Sequence, residues 1–213
     1  MEVVDLFSKG GVLMWPILAC SVAGTAIFIE RLFCYRRAWR EERTVRNASG
    51  LIAAGRYDEG VAFLRERRVA DSSAGRLLLV AVDARAADKE TLEMLLSHGV
   101  EREIKHLSRH LATLATLASV APLLGLLGTV FGLIKAFMVV ERMGGRVNAS
   151  LLAGGIWEAM LTTALGLTVA IPLIFFFNHL ENRLADLQAA LGDLVVRHLR
   201  AWQENRGGQP PRP

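Results

Sequence analysis

Three long charge-free runs interrupt an otherwise polar and helix-patterned chain. The first is Gly10 to Ile29, GGVLMWPILACSVAGTAIFI. At about 1.5 Å per residue a helix over it is roughly 30 Å long, enough to cross the hydrocarbon core of a bilayer. The second is Leu111 to Ile134, and it continues past Lys135 to Val140. The third begins near Gly155, carries Glu158, and is uncharged from Ala159 to Leu180. Core helices of soluble proteins are rarely so long and so apolar, so the pattern predicts three transmembrane helices.

The polar stretch between the first two runs, Cys34 to His110, holds fifteen basic and twelve acidic residues. Its apolar positions recur at helical spacing, as in Leu92, Leu95, Leu96 and Val100, which predicts an all-helical extension outside the bilayer. Gly55 closes one helix, and Asp71 or Ser72 caps the next. In the tail, Leu180, Leu184, Leu187 and Leu191 step by four, three and four. That stripe lets the third span continue as an amphipathic helix. The expected organisation is a short N-terminal segment (1–9), helix one (10–33), a helical domain (34–110), helix two (111–140), a loop (141–154), helix three (155–177) and a C-terminal helix and tail (178–213). The fold class is an all-α membrane protein with long cytoplasmic helical extensions.

Charge sets the expected direction. Arg31, Arg36, Arg37, Arg40, Arg43 and Arg46 follow the first run, and Arg183, Arg197, Arg200, Arg206 and Arg212 follow the third. Basic residues near span ends favour the cytoplasm. The N-terminus and the 141–154 loop are therefore expected on the outer side of the membrane, and the C-terminus in the cytoplasm. The segment before the first run carries Glu2, Asp5 and one lysine, unlike the basic start of a signal peptide.

Composition narrows the function classes. Of 213 residues 52% are hydrophobic and 22% charged, and the mean hydropathy is +0.32. So apolar a chain is not disordered. The two cysteines, Cys20 and Cys34, fall in different kinds of segment and are not expected to pair. His98, His106 and His110 share a polar segment, but HLSRH lacks the glutamate of a zinc protease motif. No Walker loop, dinucleotide fingerprint or nucleophile elbow is present. The expectation is a non-enzyme with no cofactor, no metal and no nucleic-acid partner.

The candidate chemistry lies in spans two and three. Gly128 and Gly132 form a GxxxG, with Gly125 and Thr129 beside it; Ala159, Thr163, Gly166 and Ala170 step by four, three and four. Helices in lipid associate through close backbone packing, which small residues permit. Both spans should face protein along these stripes, and homo-oligomerisation is expected; the plainer reading is that the two spans simply pack against each other as a hairpin within one chain. Pro122 and Pro172 are expected to kink their helices. Glu158 is the most informative residue, because a carboxylate in an apolar span is costly and faces a bundle interior or an aqueous path. Desolvation favours its protonated form, a bound cation the carboxylate. Thr162 shares its helical face. Thr129 lies twelve residues before Glu141 and Thr163 thirteen after Ser150, so folding the hairpin puts the two hydroxyls at similar depth. With Glu158 they make a polar track that can hold water and pass protons. The plainer reading is that these hydroxyls bond to carbonyls one turn back. Lys135 is read as a structural residue that snorkels to the interface.

APLLGLLGTVFGLIKAF (Ala121 to Phe137) and IWEAMLTTALGLTVAIP (Ile156 to Pro172) resemble the second- and third-span signatures of the MotA/TolQ/ExbB proton-channel family. GGVLMWPILACSVAGTAIFIERL (Gly10 to Leu32) is similar to the start of ExbB- and TolQ-type proteins. The resemblance implies a pentameric ring around an ExbD- or TolR-like single-span partner that brings an intramembrane aspartate. It also implies a proton motor acting on a TonB-like protein for outer-membrane transport, or on a TolA-like one for envelope integrity. Carried over by motif, Thr129 and Thr163 match lumen-lining threonines and Glu158 the acidic position of span three. Helical arithmetic instead groups Thr162 with Glu158. The competing readings are a motility motor and a non-conducting membrane scaffold.

Overall fold

A computed structural model describes residues 11–53, 56–66, 69, 72–84, 88–142 and 149–207. The expected N-terminal segment 1–9, Gly55, Asp71, residues 143–148 of the loop and the final six residues lie outside them. Among the described residues six helices follow in order: α1 (Met14–Ala53), α2 (Tyr57–Arg65), α3 (Ser73–Asp83), α4 (Lys89–Leu107), α5 (Leu111–Arg142) and α6 (Ala149–Gly207). Among the described residues there is no strand. Three helical stretches of the described residues are long and apolar enough to cross a membrane, within Met14–Glu41, Lys89–Arg142 and Leu152–Arg200. The chain divides into two compact units: one takes the chain up to Glu30 and His110–Leu180, the other Arg31–Arg109 and the chain from Glu181 on.

In the apolar unit, α5 and α6 pack through residues with little or no side chain. Ala121, Gly125, Gly128, Gly132 and Ala136 are buried along one face of α5. Opposite them stand Gly155, Ala159, Thr162 and Gly166. A Cβ at Gly125 would come 3.1 Å from the Thr163 Cα, and one at Gly166 2.8 Å from the Ala121 carbonyl oxygen. The backbones approach this closely because no Cβ intervenes. The start of α1 packs on α6: Gly24 receives the Leu173 side chain, and Phe28 stacks on Phe176 with ring centroids 4.0 Å apart. Large apolar side chains such as Leu123, Phe131, Phe137, Met160, Ile171 and Phe175 point outward. Such a surface suits lipid or other apolar helices rather than water. Both helices run through their prolines, Pro122 in α5 and Pro172 in α6.

The second unit has an ordinary hydrophobic core. Val45, Leu64, Leu77, Leu78, Leu92, Leu96, Leu191, Leu194 and Val195 are buried together. Leu95 points outward at 41% exposure, while Leu184 and Leu187 of the tail stripe are buried. Ser72 caps α3: its Oγ accepts from the Gly75 amide at 2.9 Å and donates to the Val69 carbonyl at 2.6 Å. Asp88 caps α4 by accepting from the Thr91 amide at 3.1 Å. The α4 C-terminus is closed by two side chains of α1, since Tyr35 Oη and Arg31 Nη1 donate to the Leu107 carbonyl at 3.1 and 3.4 Å. Such donors satisfy a carbonyl that the ending helix leaves without a partner.

Candidate functional site in the α5–α6 hairpin

The seam glycines fix the hairpin register, and the register fixes which polar groups meet. Gly132 lies against Ala159, and Gly155 against Ala136. One turn beyond this contact, Lys135 on α5 reaches Glu158 on α6: its Nζ donates to Oε1 at 2.8 Å. The lysine side chain is 57% exposed and the glutamate 27%. Sequence reasoning treated Lys135 as a lone snorkelling residue, whereas it is the partner of the carboxylate. The signal was available, because Lys135 is six residues before Glu141 and Glu158 eight after Ser150. The fold that levels Thr129 with Thr163 also levels this pair.

A third strand of chain approaches the same carboxylate. Gly11, just before α1, has φ +72°, and a Cβ there would overlap Glu158 Oε1. Only a residue without a side chain can present its backbone to the oxygen in that conformation. Gly11 had no sequence signal, since nothing in a Gly-Gly pair names its distant neighbour.

The three threonines are placed differently from one another. Thr162 is 1% exposed and sits in the seam, its methyl filling the space that Gly128 leaves. Its Oγ1 donates to the Glu158 carbonyl one turn back at 2.8 Å. Thr129 likewise donates to the Leu126 carbonyl at 2.7 Å. Thr163 is half-buried and bonds across the hairpin, donating to the Gly125 carbonyl at 2.8 Å. The seam of α6 therefore runs through Ala159, Thr162 and Gly166, with Thr163 at its edge against Gly125, so the small-residue spacing found the face but missed Thr162. The reason is shape: the Thr162 methyl needs a facing glycine, and Gly128 is that glycine. Glu158, Thr162 and Thr163 lie within two turns of α6, but their hydroxyls are bonded to carbonyls rather than to the carboxylate.

Elsewhere, Cys20 and Cys34 are free thiols. His110 stands between α4 and α5 with φ +70°, its Nδ1 3.5 Å from Glu30. Among the described residues no cluster of His, Cys, Asp and Glu could hold a metal ion.

With this geometry in view, the comparisons with known proteins decide the family. The MotA/TolQ/ExbB proton channel family matches residues 67–192, more than half of the chain. The chain belongs to this family. It is 32% identical to a putative biopolymer transport protein ExbB-like 1 of Synechocystis, over 98% of this chain and 84% of that one. It is 30% identical to the Tol-Pal system protein TolQ of Haemophilus influenzae, over 99% of this chain and 98% of that one. The biopolymer transport protein ExbB of Salmonella typhimurium is 27% identical over 87% of this chain and 78% of its own. The three apolar helices and this membership place the protein in a membrane. The Lys135–Glu158 pair and the glycine seam both fall within the matched segment.

Proposed function

We propose that this chain is the ring-forming subunit of an ExbB/TolQ-type inner-membrane motor that turns proton flow into mechanical work on an envelope-spanning partner. The observation that carries the reading is Glu158, a carboxylate held on an apolar helix beside a close-packed seam of glycine, alanine and threonine. A charge in such a place is expensive and is retained where ions or protons act on it. The outward apolar faces of α5 and α6 supply surface for neighbouring copies and for the span of an ExbD- or TolR-like subunit. A pentamer is the assembly that the family resemblance implies. Arginines after the first and third spans orient the termini, N-terminus outside and C-terminus in the cytoplasm.

In this mechanism protonation of Glu158 removes its charge and loosens its hold on Lys135. The change is local, and a bistable contact with the partner's aspartate-bearing span converts it into movement. One charge crossing about 100 mV releases about 2.3 kcal/mol, so a few protons per step suffice to move a packed helix. Thr163 and Thr129 would line the path in the assembled ring. A TonB-like load for outer-membrane transport is the first assignment. A TolA-like load is the second, favoured by the full-length match to the Haemophilus TolQ.

Co-expression with the single-span subunit, in a host lacking its own motors, tests the reading through energised uptake and through envelope integrity. Glu158→Gln should abolish whichever activity the wild type restores, and Thr163→Ala should weaken it. Full activity in Glu158→Gln would overturn the proposal.

A further inference from the structure

The Lys135–Glu158 pair bears on which ion the site answers to. We propose that Lys135 sets ion specificity at Glu158: its ammonium is a tethered counter-ion that fills the carboxylate's cation position, leaving a proton as the ion that switches the site. The inference rests on the reading of Glu158 given above and names the residue that makes that site proton-selective.

Three observations carry it. The Lys135 Nζ lies 2.8 Å from Glu158 Oε1, the distance of a charge-assisted hydrogen bond. The ammonium hangs from the neighbouring helix of the same chain, so it competes for the carboxylate at a fixed and high effective concentration. Gly11 brings backbone against the same oxygen, leaving little room for a hydrated ion on that side. Among the described residues, Lys135 from α5 is the charged group that meets Glu158, and the chain at Gly11 presents backbone only.

The two candidate ions then face unequal tasks. Sodium must shed water and displace an ammonium that cannot diffuse away. A proton forms an O–H bond with the carboxylate and removes the charge that held the ammonium there. The freed lysine, already 57% exposed, can turn its head toward the interface on its long apolar stem.

Carbodiimide modification of the purified full-length chain in proteoliposomes tests this without a partner or a load. The reagent activates Glu158; attack by the Lys135 amine then forms an amide and expels the urea. In the wild type, peptide mass spectrometry should find this Lys135–Glu158 cross-link, and sodium should not slow its formation. Lys135→Arg keeps the positive charge but lacks the nucleophilic amine. It should give the acylurea adduct on Glu158, again insensitive to sodium. Lys135→Met empties the cation position, and sodium but not choline should then slow adduct formation, by roughly threefold or more. Lys135→Gln is read in the same way if the methionine variant fails to insert.

Sodium protection of the wild type or of Lys135→Arg would overturn the proposal. So would sodium-insensitive adduct formation in both Lys135→Met and Lys135→Gln. The motor reading is judged separately. If sodium behaves as expected but energised uptake survives Glu158→Gln, the motor assignment fails while the ion preference of the pair stands.

Discussion

At the scale of single residues, the hairpin depends on absent atoms. Gly128 faces the Thr162 methyl so closely that any Cβ would collide with it. Gly128→Ala should destabilise the detergent-solubilised protein by about 1–3 kcal/mol, the usual cost of overpacking. Thr162→Ser removes that methyl and should recover part of the loss when combined with Gly128→Ala. Thermal melts of the two single variants and the double variant give the coupling directly. His110 makes the opposite point, since it carries a side chain in a left-handed conformation at φ +70°. A β-branched residue tolerates that region poorly. His110→Val should therefore lower stability by about 1–2 kcal/mol, and His110→Gly should not.

At the scale of elements, helices and their ends are where sequence and structure agree most directly. Ser72 precedes an apolar-periodic run, and its cap hydrogen bond is present. Ser72→Ala should cost about 1 kcal/mol, measurable by denaturant or heat. The glycine stripe on α5 was equally visible, because periodicity on one helix needs knowledge of that helix alone. The partner stripe on α6 was less so. Spacing could not separate Thr162 from Thr163, since both are small, polar and adjacent. Only the facing glycine, Gly128, decides that the Thr162 methyl fills the seam while Thr163 bonds at its edge. Lys135 and Glu158 were legible individually but not as a pair, because their meeting depends on hairpin register. Gly11 was not legible at all: it acts on a residue far along the chain through backbone alone. Local pattern fixes elements, and contacts between elements need the register that packing supplies.

At the scale of the whole molecule, the two units rest on different physics and should respond differently to conditions. The apolar unit is held by backbone proximity, and the other by a buried leucine-rich core. The latter also carries the titratable groups that tie stability to pH. Burial holds His198 below its ordinary value near 6.5, because the charged imidazolium is poorly solvated there. Burial would raise Glu103, yet hydrogen bonds from Arg76 and Ser73 outweigh it and leave its carboxyl below its ordinary value near 4.5. Arg76 meets it with two nitrogens, at 2.8 and 2.6 Å. Both folded-state values are depressed, so the folded state binds fewer protons than the unfolded one. Their stabilisation is complete above the unfolded values and is lost as pH falls toward the folded ones. Melts recorded downward from neutral pH should show a first loss of stability below about 6.5 and a second below about 4.5. His198→Gln should remove the first step and leave the second.

The central claim, that Glu158 is where protons act on an assembled motor, is tested most directly by proton flux. Proteoliposomes holding the chain and its single-span partner, with an imposed membrane potential, should acidify in the wild type and not in Glu158→Gln. Equal acidification by the two proteins would contradict the account.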